Sequence, residues 1–171
     1  ADDASTNKIT RFILKQYSKR DPRIKVVFRQ QNGHISAASN SALELVTGEW
    51  VALLDHDDLL TEHALFPVAQ TINHHPATRL LYSDEDKINR KDKRFSPYCK
   101  CDWNADLFYS HNMICHLGVY HAELLRDLGG FRLGFEGAQD YDLALRFIEQ
   151  INPDQIQHIP RILYHRRVHN S

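Results

Sequence analysis

Trp50-Val51-Ala52-Leu53-Leu54-Asp55-His56-Asp57-Asp58 sets five apolar residues directly before three acids and a histidine. A short apolar run without polar interruption reads as a strand buried on both faces, as in a parallel sheet covered by helices. Side chains alternate along a strand, so Asp55 and Asp57 project to one side where it ends. Two carboxylates about one pleat apart can share a hard divalent cation, which prefers oxygen ligands. Ligands of open α/β sheets sit beyond the carboxyl ends of the strands, which is where this pair lies. A solvated turn capping the next helix needs one acid, whereas three stand here within four positions.

On the N-terminal side, Ser36 opens a helix to Thr47 that buries Ala38, Ala42, Leu45 and Val46, and Gly48 closes it. Before that come a strand at Ile24–Phe28 and a helix from Asn7 to Lys19 with Ile9, Phe12, Ile13 and Tyr17 as its apolar stripe. Asp2, Asp3 and Ser5 read as a strand end and helix cap. Helix, strand, helix, strand with short links implies a parallel α/β sheet.

On the C-terminal side, Thr61 caps a helix to Asn73, which Pro67 should kink or shorten. Arg79–Ser83 is a short strand ending in a second acidic cluster, Asp84-Glu85-Asp86. Taken alone, that cluster reads as a solvated loop. Two such clusters at strand ends are expected on the same edge of a parallel sheet, and this coincidence favours a site. Lys87–Arg94 is a charged, hairpin-like excursion, and Phe95–Asn112 is aromatic and aperiodic. A strand at Met113–His121, a helix at Ala122–Leu128, a glycine-punctuated loop at Gly130–Gly137, a helix at Asp140–Gln150 and a strand at Gln157–Tyr164 follow. The basic stretch His165-Arg166-Arg167-Val168-His169 comes last.

With 171 residues the chain is most simply one domain with a sizeable core. A net charge of -1 gives no global attraction to nucleic acid. No apolar run approaches membrane-spanning length, and no signal-peptide pattern opens the chain. The three cysteines, Cys99, Cys101 and Cys115, do not make a disulfide framework and suit a reducing compartment, so the cytosol is the default.

Asp140 stands at or near the start of the last helix, where the dipole favours the charged carboxylate; it reads equally as a base ready at neutral pH and as a helix cap. Asp142 pairs with Arg146 at four-residue spacing on the exposed face. His165 can add a nitrogen ligand to a carboxylate-bound metal and the arginines beside it can meet phosphate oxygens, or the stretch is a solvated basic tail. Cys99, Cys101, Cys115 and His116 lack the spacing of a zinc site. Basic and aromatic residues between Lys87 and Trp103 hint at single-stranded nucleic acid, but the nearby acids argue against it.

Five stretches together resemble a bacterial family 2 glycosyltransferase catalytic domain of GT-A type. They are N-G-H-I-S-A-A-S-N (Asn32–Asn40), L-L-D-H-D-D (Leu53–Asp58), Y-S-D-E-D-K (Tyr82–Lys87), G-A-Q-D-Y-D-L-A-L-R (Gly137–Arg146) and H-I-P-R-I-L-Y-H-R-R (His158–Arg167). They are similar in particular to the branch that builds cell-surface polysaccharides such as O-antigens. The resemblance implies an α/β, Rossmann-like, mostly parallel sheet flanked by helices, lacking the family's first strand–helix unit. It implies one catalytic domain over 1–171, with a nucleotide-sugar and metal half at 1–94 and an acceptor and base half at 95–171.

It further implies that Asp3 reads the nucleotide base, and that Asp55 and Asp57 hold ribose and a diphosphate-bound Mn2+ or Mg2+, with Asp58 sharing that duty. Asp140 matches the base, and His165 the metal histidine, with His169 as its alternative. Asp84, Glu85 and Asp86 would border the donor sugar or acceptor, and Trp103 and His116 the acceptor side. The implied donor is a UDP- or dTDP-sugar and the acceptor a glycan or lipid-linked hydroxyl. No nucleic-acid partner is expected. The place of work is the cytosol, with attachment to the inner face of the plasma membrane left to parts outside the chain. Gln139, Cys101 and Arg166 depart from residues common in the family. Two alternatives stand beside this reading. One is a catalytically inactive nucleotide- or glycan-binding fragment. The other is a haloacid dehalogenase-type phosphohydrolase, which wants Gly-Thr where Asp58-Leu59 stands.

Overall fold

In the computed structural model, which describes residues 1–169, the chain enters α1 (Lys8–Arg20) through Asn7, whose side chain accepts the Ile9 N–H at 2.9 Å. The cap satisfies one of the free N–H groups of the first turn, and Lys19 and Arg20 suit the negative end of the helix. The expected stripe of Ile9, Phe12, Ile13 and Tyr17 forms, but all four are exposed. Ile24–Phe28, expected as a strand, joins no ladder; it is tied through the parallel bridge of Asp2 with Phe28, where the Asp2 N–H meets the Val27 carbonyl at 2.8 Å.

α2 (His34–Leu43) begins and ends earlier than Ser36–Thr47. Its start is set by Asp3, whose carboxylate accepts the Gly33 N–H at 3.0 and 3.1 Å. A Cβ on Gly33 would lie 2.8 Å from the Ala37 Cβ, which cannot swing away, so this close approach needs glycine. β1 (Trp50–Ala52) and β2 (Leu59–Leu60) flank the first acidic turn. α3 (Leu65–His74) runs unbroken because Pro67 falls in its first turn, where a missing N–H costs no helical bond.

β3 (Leu80–Ile88) is buried at every position except Lys87, so the second acidic cluster lies inside a strand and is not the solvated loop it suggests when read alone. β4 (Arg94–Tyr98) returns along it as a hairpin. The remaining elements are α4 (Ala105–Ser110), β5 (Gly118–His121), α5 (Ala122–Asp127), α6 (Gln139–Ile148), a 3-10 turn at Pro153–Gln155 and β6 (Ile156–Arg167). The strand expected at Met113–His121 forms only over its last four residues, and the rest is a loop that carries Cys115 and His116.

The six strands run in the order β1-β5-β3-β6-β2, with β4 on β3. The α/β class stands, but the ladders are mixed. β3 with β6 is parallel, whereas β1 with β5, β3 with β5, β3 with β4 and β2 with β6 are antiparallel. The parallel sheet suggested by the helix–strand alternation thus narrows to one parallel ladder. β1 ends the order beside β5 alone, which is why Trp50 and Val51 are half-buried rather than covered on both faces.

Alternation along β3 divides the core. Leu80 and Tyr82 pack with Phe108, Tyr120, Leu143 and Phe147 on one face, and Leu81 packs with Val68, Leu117, Val119 and Leu163 on the other. Each fully buried side chain of this size stabilises the fold by about 1.5–3 kcal/mol. Both faces are therefore anchored close to where β3 and β6 deliver their polar residues.

Candidate active site

Asp55–Asp58 forms the turn between β1 and β2, closed by the Asp58 N–H on the Asp55 carbonyl at 3.3 Å. Ligand atoms of Asp55, Asp58 and His116 all lie within 4.8 Å of one another. The buried Asp58 is held on both oxygens: Oδ2 accepts the Tyr164 hydroxyl at 2.7 Å and Oδ1 the Arg167 N–H at 2.6 Å. The Tyr164 oxygen in turn accepts the Asp55 N–H at 3.1 Å, and its ring stacks on His116 with centroids 4.6 Å apart. One tyrosine of β6 therefore orients all three members.

His116 is fixed from behind as well. Its backbone N–H donates to Glu85 Oε2 at 3.1 Å, and the buried Lys100 ammonium donates to the carbonyls of His116 at 2.6 Å and Ile114 at 2.8 Å and to Glu85 at 3.4 Å. Buried charges persist when paired and hydrogen-bonded, and this pair uses all three ammonium donors. Partial burial pushes the Asp55 carboxyl up; His116 pulls it back, while Asp58, Asp57 and Asp140 add to the rise. Crowded carboxylates of this kind are relieved by a cation. Two carboxylates and one imidazole make a donor set that fits a divalent ion such as Mn2+ or Mg2+.

Asp140 is the second residue of α6, whose cap position is Ala138, so it does not act as the N-cap. Its Oδ2 accepts the Asn112 side-chain N–H at 2.9 Å. A cleft of about 330 Å³ is lined by Asp55, Cys115 and His116, by Gly137, Gln139 and Asp140, and by Arg166, with Ile35, Leu53 and Phe131 as apolar wall. The acidic turn and Asp140 thus face the same space.

The other candidate residues sit elsewhere. Asp57 pairs with His169 Nε2 at 2.7 Å, a bond that holds its carboxyl below the usual range, and neither belongs to the trio. His165 also lies outside it. As the neighbour of Tyr164 on a strand it faces the other way, with Nδ1 2.5 Å from Asp86 Oδ1, while Asp86 Oδ2 accepts Arg94 Nε at 2.6 Å. Asp84 accepts the Lys100 N–H at 2.8 Å and lies 2.9 Å from His158 Nε2. Asp3 bonds Arg29 and Gly33 and does not line the cleft. Trp103 packs on Phe108 with centroids 5.1 Å apart, also away from the cleft lining. His116, expected at the acceptor side, does line the cleft, but as the trio's imidazole.

Tyr164, Lys100, Asn112 and Glu85 in its bracing role escape the sequence reading. Tyr164 sits in an apolar strand and reads as core, and Lys100 lies in an aperiodic stretch with no signal for burial. Asp142 is buried, not on an exposed face. It bonds Arg146 at 3.0 Å and also Arg132, tying the glycine loop to α6.

Residues 1–129 match the profile of the family described as Glycosyl transferase family 2. Among curated relatives, the uncharacterized protein y4gI of Sinorhizobium fredii is 52% identical over 96% of this chain, and the O-antigen biosynthesis protein RfbC of Myxococcus xanthus 38% over 97%. The chain spans 18% and 13% of their respective lengths. The crystal structure of S. aureus TarS 1-349 in complex with UDP-GlcNAc superposes with a TM-score of 0.79, covering 99% of this chain and 49% of that one at 20% identity. The fold is therefore of the glycosyltransferase GT-A type, and no support remains for a dehalogenase-type phosphohydrolase.

Proposed function

Because the chain belongs to glycosyl transferase family 2, we propose that it carries the site of a metal-dependent, inverting glycosyltransferase. It moves a sugar from a UDP- or dTDP-linked donor to a hydroxyl of a glycan or lipid-linked acceptor in bacterial cell-surface polysaccharide synthesis. The observation that carries this reading is the shared cleft, with Asp55 and His116 of the trio and Asp140 lining one space of sugar size, and Asp58 buried directly behind them. The names of two similar proteins agree with it: RfbC is called an O-antigen biosynthesis protein, and TarS is described in complex with UDP-GlcNAc.

Asp55, Asp58 and His116 are the proposed holders of Mn2+ or Mg2+, with Asp57 beside them toward the ribose. Such an ion, when bound, offsets negative charge that collects on the departing diphosphate. The Tyr164 hydroxyl and the Arg167 N–H hold the Asp58 carboxylate aimed. Asp140 accepts the proton of the acceptor hydroxyl at its carboxylate, and Asn112 fixes the direction of that carboxylate. Attack from the side opposite the leaving group inverts the anomeric centre. The half from 1 to 94 supplies the carboxylates for the donor side and the half from 95 to 171 the base, with His116 crossing over to the first. Among the described residues no helix is long and apolar enough to cross a membrane. The three free cysteines agree with work in a reducing cytosol.

Asp140→Asn tests the assignment. Transfer should fall by about 10²–10⁴-fold, the usual worth of a general base, while Mn2+-dependent UDP binding stays nearly unchanged. Transfer that survives within a few-fold would mean that the proton leaves by another route.

A further inference from the structure

β3 and β4 border a second concavity, of about 320 Å³, lined by Glu85, Asp86, Lys87, Pro97, Tyr98 and Arg166. Arg166 lines both this groove and the catalytic cleft, so the two adjoin at its side chain. The charges in the groove are not equivalent. The Asp86 carboxylate is buried between His165 and Arg94, and Glu85 is buried against Lys100 and the His116 N–H. Both acids are thus compensated from within the fold. Arg166 is exposed and Lys87 half-buried, and neither side chain makes a hydrogen bond or ion pair with the described residues.

The two cations are also register partners on the parallel ladder of β3 and β6. Like charges directly across a ladder repel, and no side-chain ion pair among the described residues offsets this pair. An anion between them would. Beside them, Pro97 and the ring of Tyr98, whose hydroxyl lies 3.1 Å from His111 Nε2, offer an apolar surface suited to one face of a sugar ring.

We propose that this groove is an acceptor subsite for an anionic sugar, one that bears a carboxylate or a phosphate. Arg166 and Lys87 take the anion, and Tyr98 and Pro97 take the apolar face of the ring. The proposal rests on the transferase reading, because it specifies which acceptor presents its hydroxyl to Asp140. An arginine here serves better than a lysine alone, since its planar fork meets two oxyanion oxygens at once.

The test uses the full chain with Mn2+ and UDP saturating the donor side, titrated with three probes by calorimetry and ligand-observed NMR. Methyl β-glucuronide carries a carboxylate, glucose 6-phosphate a phosphate, and methyl β-glucoside neither. At least one charged probe should bind about tenfold more tightly than the neutral one, as expected for a charge-assisted contact, and the tighter of the two identifies the anion. Lys87→Gln and Arg166→Gln should each reduce that preference, and the double change should abolish it, with UDP affinity unchanged. Equal binding of all three probes, or a preference that survives both substitutions, overturns the proposal. So does Arg166→Gln weakening UDP tenfold, because Arg166 would then serve the diphosphate. Failure of UDP to bind the unaltered chain overturns the transferase reading instead, and the same three titrations without nucleotide still decide the groove.

Discussion

Replacing Lys100 with methionine would remove an ammonium whose side chain is fully buried and whose hydrogen bonds reach Ile114 O, His116 O and Glu85. Methionine keeps most of the stem volume, so the loss is polar and not a cavity. Two carbonyls lose their charged donor, and Glu85 stays buried with only the His116 N–H. Removing one partner of a buried pair costs about 3–5 kcal/mol. Burial already pulls the Lys100 pKa down, which means the ammonium itself carries a desolvation penalty that the change relieves. The net loss should therefore sit near the lower end, about 3 kcal/mol, out of a total of about 5–15 kcal/mol for a domain. Urea unfolding measures this directly. Adding Glu85→Gln removes the stranded charge and should recover about half of the loss. In that partly rescued double variant the His116 carbonyl has lost its ammonium donor, so Mn2+ affinity by calorimetry should fall about tenfold while the chain still unfolds in one cooperative transition. Lys100 does not brace this region if Lys100→Met unfolds within about 1 kcal/mol of the parent chain, or if the second change restores nothing.

Tyr164→Phe deletes the hydroxyl that joins Asp58 to the Asp55 N–H and should cost about 1–3 kcal/mol in unfolding and also weaken Mn2+ binding; metal affinity equal to the parent would show that the tyrosine only packs. Asn112→Ala frees the Asp140 carboxylate and should slow transfer about tenfold with UDP affinity intact, which steady-state kinetics would detect. Burial alone would raise the Asp142 carboxyl, yet Arg132 and Arg146 outweigh it and hold the pKa below the ordinary 3.8. A depressed folded pKa gives stability that is complete above the unfolded value and lost as pH falls through the folded one. Melting temperatures of Asp142→Asn should accordingly change less than those of the parent below about pH 4, and parallel curves would refute this.

Much of the layout is legible in the sequence because periodicity and punctuation report local geometry. Asn7 and Arg20 bound the first helix, Gly130–Gly137 precedes the last, and the tandem acids mark where strands deliver polar groups. That Asp55 and Asp140 come to share a cleft follows from strand and helix ends meeting at one edge. What stays hidden depends on pairing partners far away in the chain. Nothing local says that β1 takes antiparallel β5 as its neighbour, and this decides whether Trp50–Leu54 is covered. Asp84, Glu85 and Asp86 look like loop residues because their compensating charges, Lys100, Arg94 and the nearby histidines, lie elsewhere in sequence. His116 stands beside the acidic turn, in the place expected of His165, and His165 turns to Asp86, for a similar reason. Which face of β6 meets the acidic turn is set by register, and register puts Tyr164 there.

β6 therefore behaves as a ruler on which several duties are marked at single-residue intervals. Tyr164 serves the acidic turn, His165 faces away to Asp86, Arg166 reaches the cleft and groove, and the Arg167 N–H anchors Asp58. Gaining or losing one residue within this strand would exchange its two faces and dismantle every assignment together, because side chains alternate with a period of two. The hairpin tip at Asn89–Lys93 is closed by its own hydrogen bonds and tied to the same strand, since Arg167 Nη1 reaches the Asn89 carbonyl at 3.1 Å and Asp92 Oδ1 at 2.8 Å. Only an insertion at Arg90–Lys91, between those two anchors, would lengthen the rim of the groove while the chemistry beneath it keeps its spacing.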